Sequence, residues 1–488
     1  MNYRIEINDP KQVANVEAAL KIIDPAAEVK SDNYDLQLII EYSKDFFVRI
    51  YAPELPAEEN LWEFQDLDIL DPRYDQTDRV QRLKELIRLG VISLLGKYLQ
   101  KKPPWGILSG VRPTKIFHYL RDKGFSIQEI REKLLTIFAL DLDSAELLQE
   151  VGAKQEKFFR TPEYVGVYVG IPFCPSRCQY CSFPAVSLET HRHLVKDFLK
   201  ALDFEIQATA ELIGTYGFKV ESIYLGGGTP TCLEEEAFSK ILTGVKNAFV
   251  TETTVEYTVE AGRPETINEA KLKAMSDSGV TRVSVNPQTM YDSTLIRIGR
   301  KHTVAQVVEA VQMVKAYPDL LLNMDLILGL PGENGLTFIK SVKDVITLKP
   351  EAITIHTLAP KRAASWRKDF KSLDLSETDD ISKAFAETVV ILRENGFFPY
   401  YLYRQRSILA DLANIGYAKE GKSSIYNIQM MEERQTIFGL GGGAVSKWVF
   451  GPDYLVVREQ NPKCPATYSR LIKEQIVKKA QQTRLLLG

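Results

Sequence analysis

Nowhere in its 488 residues does the chain hold a stretch of about 18 apolar residues, so no membrane span is expected. A run of like charge is also missing, and the formal net charge is only -3. A nucleic-acid surface is thereby disfavoured as the main function, and no nucleic-acid partner is expected. The first residues, MNYRIEINDP, have no basic segment leading into an apolar one, which argues against a secretory signal. Cysteine is scarce: five in all, an odd number, with three clustered. That is not a disulfide framework, and a reducing cytoplasm is the expected setting. Internal repeats and low-complexity tracts are absent too. What is present is ordinary globular composition, 45% hydrophobic and 26% charged residues, enough to bury a large core.

Three regions separate on pattern: 1–160, 161–365 and 366–488. In the first, YDLQLIIEY (34–42) and DFFVRIYA (45–52) are β-prone runs split by a polar turn, which predicts a hairpin. Val80, Leu83, Leu86, Ile87 and Leu94 recur at helical spacing across 78–99. The segment PPWGILSGVRPTKIF (103–117) reads as a loop entering a helix; Arg112 and Lys115 within it also suit a contact to an anionic ligand or to the next domain. The whole region reads as a small α/β domain.

The middle region alternates strand and helix. Strands are predicted at 164–171, 221–225, 253–260, 281–285, 320–328 and 352–358. Between them lie amphipathic stretches such as Phe238, Ile241, Leu242 and Val245, and Val304, Val307, Val308 and Val311 with Thr303 as N-cap. Six such units in about 200 residues predict a parallel sheet, as an incomplete (βα)6 barrel or an open sheet, since eight usually need about 250. After 365 the chain reads as mainly helical, with Ser376 and Asp379 capping a helix over 376–396, a glycine-rich FGLGGGAVSK (438–447), and a helical tail.

Cys174, Cys178 and Cys181 fall in GIPFCPSRCQYCSF, spaced C-x3-C-x2-C. Thiolates bind soft metals. A structural zinc site would need a fourth ligand, for which His191 or His193 is nearest. The alternative is a cubane iron–sulfur cluster with three irons held by cysteine and one open. The cluster follows the first strand of the βα series, at its carboxyl end, where active sites of parallel α/β folds gather.

YVGIPFCPSRCQYCSF resembles the cluster loop of radical S-adenosylmethionine enzymes. The motifs that follow, in order, resemble the oxygen-independent coproporphyrinogen III oxidase family: YLGGGTPT (224–231), TVEAGRPETI (258–267), VTRVSVNPQT (280–289), LIRIGRKHT (295–303) and MDLILGLPGE (324–333). The segments WGILSGVRPTK, EAGRP and YYLYRQ are most similar to its HemZ-type branch, the coproporphyrinogen dehydrogenases.

The resemblance implies a [4Fe–4S] cluster on Cys174, Cys178 and Cys181, whose open iron binds S-adenosylmethionine and, with one electron from a low-potential donor, releases a 5′-deoxyadenosyl radical. It implies cofactor contacts from Tyr168, Tyr180, Gly227, Gly228, Thr229, Glu260, Gln288, Arg300 and Asp325. It implies a tetrapyrrole substrate, coproporphyrinogen III, decarboxylated oxidatively to protoporphyrinogen IX in oxygen-independent heme biosynthesis by a monomer. A heme-trafficking relative, or a radical enzyme on another tetrapyrrole, is the alternative. Arg177 and the pair Lys361-Arg362 are candidate partners for substrate carboxylates. The sequence departs from the family pattern at Gly170, where histidine is common, and at NPQT; the H-N-x-x-Y-W motif of the heme chaperones is absent. Cys232 and Cys464 read as small buried residues, and His302 as a polar residue at a helix start.

Overall fold

The computed structural model describes residues 1–488 apart from 44, 360–363, 365, 367–375, 406, 407 and 488. Two compact units divide it, Met1–Ala153 and Lys154–Gly488. The sequence pattern put the boundary at 160, just before the first core strand. The pattern also separated 161–365 from 366–488, but both belong to the second unit.

The first unit runs β1 (Asn2–Ile7), α1 (Val13–Ile23), β2 (Glu28–Val29), β3 (Leu36–Tyr42), β4 (Phe47–Tyr51), β5 (Leu61–Gln65), α2 (Gln76–Leu99), α3 (Thr114–Asp122), α4 (Ile127–Thr136) and α5 (Leu142–Gln155), whose last turn holds the division. Its five strands lie in the order β2-β1-β3-β4-β5. The expected hairpin is β3–β4, antiparallel with Ile40 opposite Ile50. In α2 the helical stripe is rotated from the one read in the sequence: Leu86, Ile87 and Leu94 are buried but Val80 is 59% exposed. Arg82 turns inward instead, because Asp66 receives its Nε at 2.7 Å. The 103–117 segment is a loop entering a helix, with Arg112 just before the N-cap Pro113 of α3 and Lys115 in its first turn.

The second unit begins with β6 (Tyr164–Ile171), β7 (Phe173–Cys174), β8 (Val186–Ser187), α6 (Leu188–His191), α7 (Val195–Thr215), β9 (Lys219–Gly227), α8 (Glu235–Phe249), β10 (Glu256–Glu260), α9 (Glu269–Asp277), β11 (Arg282–Ser284), α10 (Asp292–Arg297), α11 (Val304–Lys315), β12 (Leu321–Leu328), α12 (Gly335–Thr347) and β13 (Ala352–Thr357). It continues with α13 (Thr378–Glu394), β14 (Phe398–Tyr403), β15 (Asn414–Ala418), α14 (Ile425–Glu432), β16 (Thr436–Gly441), β17 (Val445–Phe450), β18 (Leu455–Gln460) and α15 (Pro465–Leu487).

Strands β6, β9, β10, β11, β12 and β13 pair in parallel in chain order, so all six expected βα units are present. Parallel pairing demands a crossover between consecutive strands, and α7, α8, α9, α11 and α12 supply it with apolar faces toward the sheet. Among the described residues the sheet stays open, as an incomplete barrel. The C-terminal region covers both of its edges. On one side β15 pairs antiparallel with β13, and β14 with β15; on the other β16 joins β6 in parallel, followed by β17 and β18.

In this C-terminal region helices α13, α14 and α15 hold more residues than the five strands, consistent with the helical reading of its sequence. Its five strands escaped the sequence pattern because they are only five or six residues long, with a Pro or Gly inside β14, β15 and β16, and pairing with neighbouring strands is what makes them strands. The glycines have a steric reason. A Cβ on Gly441 (φ +87°) would lie 2.1 Å from the Gly170 carbonyl oxygen, and one on Gly170 would lie 3.2 Å from both Gly442 O and the Tyr168 ring. The family's histidine position is thus occupied here by a crossing of two backbones.

Thr303 caps α11 in a reciprocal box with Gln306, as expected. The expected cap of α13 is different: Glu377 is the N-cap residue, and Ser376 donates its hydroxyl to Glu333 O at 2.6 Å. No described helix is long and apolar enough to cross a membrane.

A buried carboxylate ties α15 to the core. Glu205 of α7 accepts from Gly441 N at 2.7 Å, Tyr468 OH at 2.6 Å, Asn461 Nδ2 at 2.9 Å and Lys479 Nζ at 2.8 Å. Both members of the ion pair are buried, at 0% and 4% exposure. Lys479→Met strands that carboxylate, so urea denaturation should show a loss of about 3–5 kcal/mol, the usual result of breaking a buried pair from one side. An unchanged denaturation midpoint would mean the other three donors suffice.

Candidate functional site at the carboxyl rim of the sheet

Parallel strands deliver their carboxyl ends to one rim, and the loops leaving that rim carry the expected site residues. The cysteine loop follows β6. None of its three cysteines is in a disulfide; Cys178 is buried and the other two half-buried. Gln179 N donates to Ile298 O at 3.1 Å, pinning the loop to the end of α10. Burial pushes the Cys174 thiol up to about 11, the neighbouring Cys181 and Cys178 add to the rise, and the Thr229 hydroxyl opposes it. The three sulfurs therefore sense one another's charge, which a cationic metal centre reverses in sign.

The donor set fits a cluster better than a lone zinc ion. Among the described residues, no three Cys, His, Asp or Glu side chains are placed to hold a single metal ion. A cubane instead takes its cysteines at separate corners. His191 and His193, the candidate fourth zinc ligands, stack on each other at 6.3 Å, and His191 Nδ1 meets Thr190 Oγ1 at 2.7 Å.

The glycine turn after β9 lies against the cysteine loop. Gly228 N donates to Ile171 O and Thr229 N to Phe173 O, each at 2.8 Å. A Cβ on Gly228 would come within 2.3 Å of Phe173 O, so only glycine lets the two loops cross. Thr229 Oγ1 then points at Cys174 Sγ from 3.6 Å. Gly227, at φ +107°, turns its N–H toward Glu260 Oε2 at 3.4 Å.

Glu260 ends β10 with an unusual carboxyl. Burial and the charge of Asp325 raise it to about 8, against the opposing Gly227 N–H and the more distant Arg300. Asp325 accepts from Asn323 Nδ2 at 2.9 Å and faces His356 Nε2 at 3.6 Å. Tyr168 shares the inner face; burial and Glu260 push its hydroxyl up. Its ring lies parallel to those of Tyr224 and Tyr426, 6.2 and 6.0 Å away.

Arg300 is buried and bridges two loops, donating from Nη1 to Gly262 O at 2.7 Å and from Nη2 to Tyr180 OH at 3.1 Å. Its Nε has no partner among the described residues. A buried guanidinium donor without an acceptor fits a carboxylate-bearing ligand. Tyr180 is both things the sequence allowed: its ring packs on the cluster of Leu295, Ile298 and Trp366, while its hydroxyl meets Arg300. Gln288 sits at φ +71°, rare for a side-chain-bearing residue. Two backbone bonds of 2.9 Å, Gln288 N to Asp325 O and Ile327 N to Gln288 O, hold it there. Such strain gathers at ligand sites.

Other expectations sort as follows. Arg177 is exposed. Lys361 and Arg362 lie outside the described residues. Cys232 is half-buried and its thiol is pushed up by desolvation, whereas Cys464 is exposed, its thiol lowered by hydrogen bonds from Thr467. His302 stands just before the N-cap of α11, at a helix start as expected, and is buried, with Nδ1 3.3 Å from Glu265 Oε2. Sequence reading missed Arg263, His356 and Tyr426 as neighbours of the site. Arg263 had a signal, standing three residues after Glu260 in EAGRP. Tyr426 had none, since it reaches the site from α14.

The radical SAM superfamily model matches residues 168–345. The oxygen-independent coproporphyrinogen-III oxidase-like protein HemZ of Bacillus subtilis is 36% identical over 410 residues, 83% of this chain and 82% of that protein. The heme chaperone HemW of Lactococcus lactis is 28% identical, over 66% of this chain and 80% of that one. Among solved structures, the coproporphyrinogen III oxidase HemN of Escherichia coli superposes with a TM-score of 0.53 at 21% identity, over 67% of this chain and 73% of that one.

The Glu260 carboxyl gives a pH test of the unliganded site. It loses its proton near its ordinary 4.5 in the unfolded chain but near 8 in the fold, so its burial costs progressively more stability as pH rises between those values. Glu260→Gln should gain stability over the parent across that window and show no pH-dependent gain below it, read by urea denaturation at both ends. A pH-independent difference would remove the raised carboxyl.

The HemZ likeness, at 36% identity, spans most of both chains: this chain belongs to the HemZ-like family of the radical SAM superfamily.

Proposed function

We propose that the chain is an oxidoreductase that converts coproporphyrinogen III to protoporphyrinogen IX without oxygen, by oxidative decarboxylation of two propionates. As a radical SAM protein it works with a [4Fe–4S] cluster and S-adenosylmethionine. When bound, they supply a carbon-centred radical able to take a hydrogen atom from an unactivated position. The chain's share is binding, orientation and exclusion of water.

Cys174, Cys178 and Cys181 would hold the cluster. The observation that carries this reading is the buried Nε of Arg300, unpartnered among the described residues beside the cysteine loop, where a carboxylate would satisfy it. The Glu260 and Asp325 carboxyls suit an ammonium group and ribose hydroxyls. A bound ammonium would draw the Glu260 proton off, since it opposes the neighbouring negative charge that holds the proton on. Gly227, Gly228 and Thr229 would pass the methionine end along bare backbone. Tyr168 and Tyr180 wall the site, and the strained Gln288 backbone fixes the β11 side of it. A low-potential electron donor and an electron acceptor complete the reaction, with a monomeric chain in a reducing cytoplasm that keeps the three cysteines out of disulfides.

The second reading is heme trafficking, favoured by the likeness to the heme chaperone of Lactococcus lactis. A third is radical chemistry on another tetrapyrrole. Anaerobic incubation with S-adenosylmethionine, reductant and coproporphyrinogen III separates them. Protoporphyrinogen with 5′-deoxyadenosine is the expected outcome. Stoichiometric heme binding without turnover would replace it with the chaperone, and 5′-deoxyadenosine without decarboxylated product with another substrate. Cys178→Ala should lose both cluster and turnover while its circular dichroism stays that of the parent; full iron content with turnover would remove Cys178 from the ligand set.

A further inference from the structure

Arg263 leaves β10 on the same loop as Glu260 and turns back beneath the cysteine loop. It is buried, and its guanidinium is engaged on all sides. Nη1 donates to Cys178 Sγ at 3.0 Å, Nη2 to Ser176 Oγ at 2.8 Å, and Nε to Glu265 Oε1 at 2.8 Å. On its other side Glu265 Oε2 lies 3.3 Å from His302 Nδ1. The guanidinium fork is planar and stays charged, so this donor keeps both its aim and its charge.

We infer that Arg263 sets the reduction potential of the cluster, through the hydrogen bond it gives to the Cys178 sulfur. Reduction adds one negative charge to the cluster and its thiolates. A fixed cation donating to a ligand sulfur stabilises the reduced form more than the oxidised one, and so raises the potential. Hydrogen bonds to sulfur and buried charge are among the levers by which proteins tune such clusters. Burial strengthens the effect, because little water screens the pair. The neutral hydroxyl of Thr229, 3.6 Å from Cys174 Sγ, is the longer contact and brings no charge. Glu265 acts as a positioning residue that holds the fork on target. The inference rests on the family's cluster and not on the tetrapyrrole reading, so a failed product assay leaves it standing.

The test uses the full chain, reconstituted anaerobically without S-adenosylmethionine, in a redox titration followed by electron paramagnetic resonance. Parent, Arg263→Gln and Arg263→Lys are compared, each with its iron and sulfide content measured. Arg263→Gln should carry a full cluster that is about tenfold harder to reduce, a fall of about 59 mV for one electron. Arg263→Lys keeps the charge but not the fork, and should fall between the two. A fully loaded Arg263→Gln with the parent's potential overturns the inference. If only Arg263→Lys holds the cluster, its potential must still fall, and equality with the parent overturns it. Loss of the cluster from both variants also overturns it, making Arg263 an assembly element.

Discussion

The structure depends on six strands hydrogen-bonded in parallel in chain order. Parallel pairing forces every strand to leave the sheet at the same rim, and every return helix to run back to the opposite one. The cysteine loop, the glycine turn, Glu260, Arg263 and Asp325 thus gather without being close in sequence. Tight crossings then fix their spacing. The cysteine loop and the glycine turn share backbone hydrogen bonds of 2.8 Å, with no room for a side chain between them at Gly228.

An open parallel sheet leaves two edges, and unpaired edges invite aggregation. Both are covered from the C-terminal region, by β15 and by β16. The cover also contributes to the interior. Helix α14 starts on the carboxylate of Glu256, which accepts from Ser424 Oγ and Ile425 N at 2.8 Å, and so places Tyr426 against Tyr224 with ring centres 4.5 Å apart. The electrostatics divide in the same space. Guanidinium groups, Arg263 and Arg300, lie on the cysteine side. Two carboxyls, Glu260 and Asp325, lie toward the sheet interior. A zwitterionic ligand with a carboxylate and an ammonium group matches that division.

What was legible in the sequence follows from periodicity and spacing. The six core strands stand where alternation and flanking helices put them, because each repeats one βα unit. The three cysteines and the glycine run are legible because they sit close together in the chain. The rest is not local. Strands β14 to β18 exist because an edge was there to pair with. Val80 points outward because Arg82 has Asp66 to meet, a fact held in another segment. His302 does stand at a helix start, but its burial beside Glu265 was not legible locally. Burial would raise Glu265, yet His302 and Arg263 hold it down to about 2. Arg263 itself was in view within EAGRP, and only the fold shows that it ends on a cysteine sulfur.

At the centre of the proposed function Cys174, Cys178 and Cys181 would hold the cluster at three corners, leaving its fourth iron for a small-molecule ligand. Mössbauer spectroscopy of iron-57-labelled protein, with and without S-adenosylmethionine, tests it most directly. One iron of the four should change its spectrum when the ligand is added, and the other three should not. Four irons that ignore the ligand, or stoichiometric zinc in their place, would contradict it.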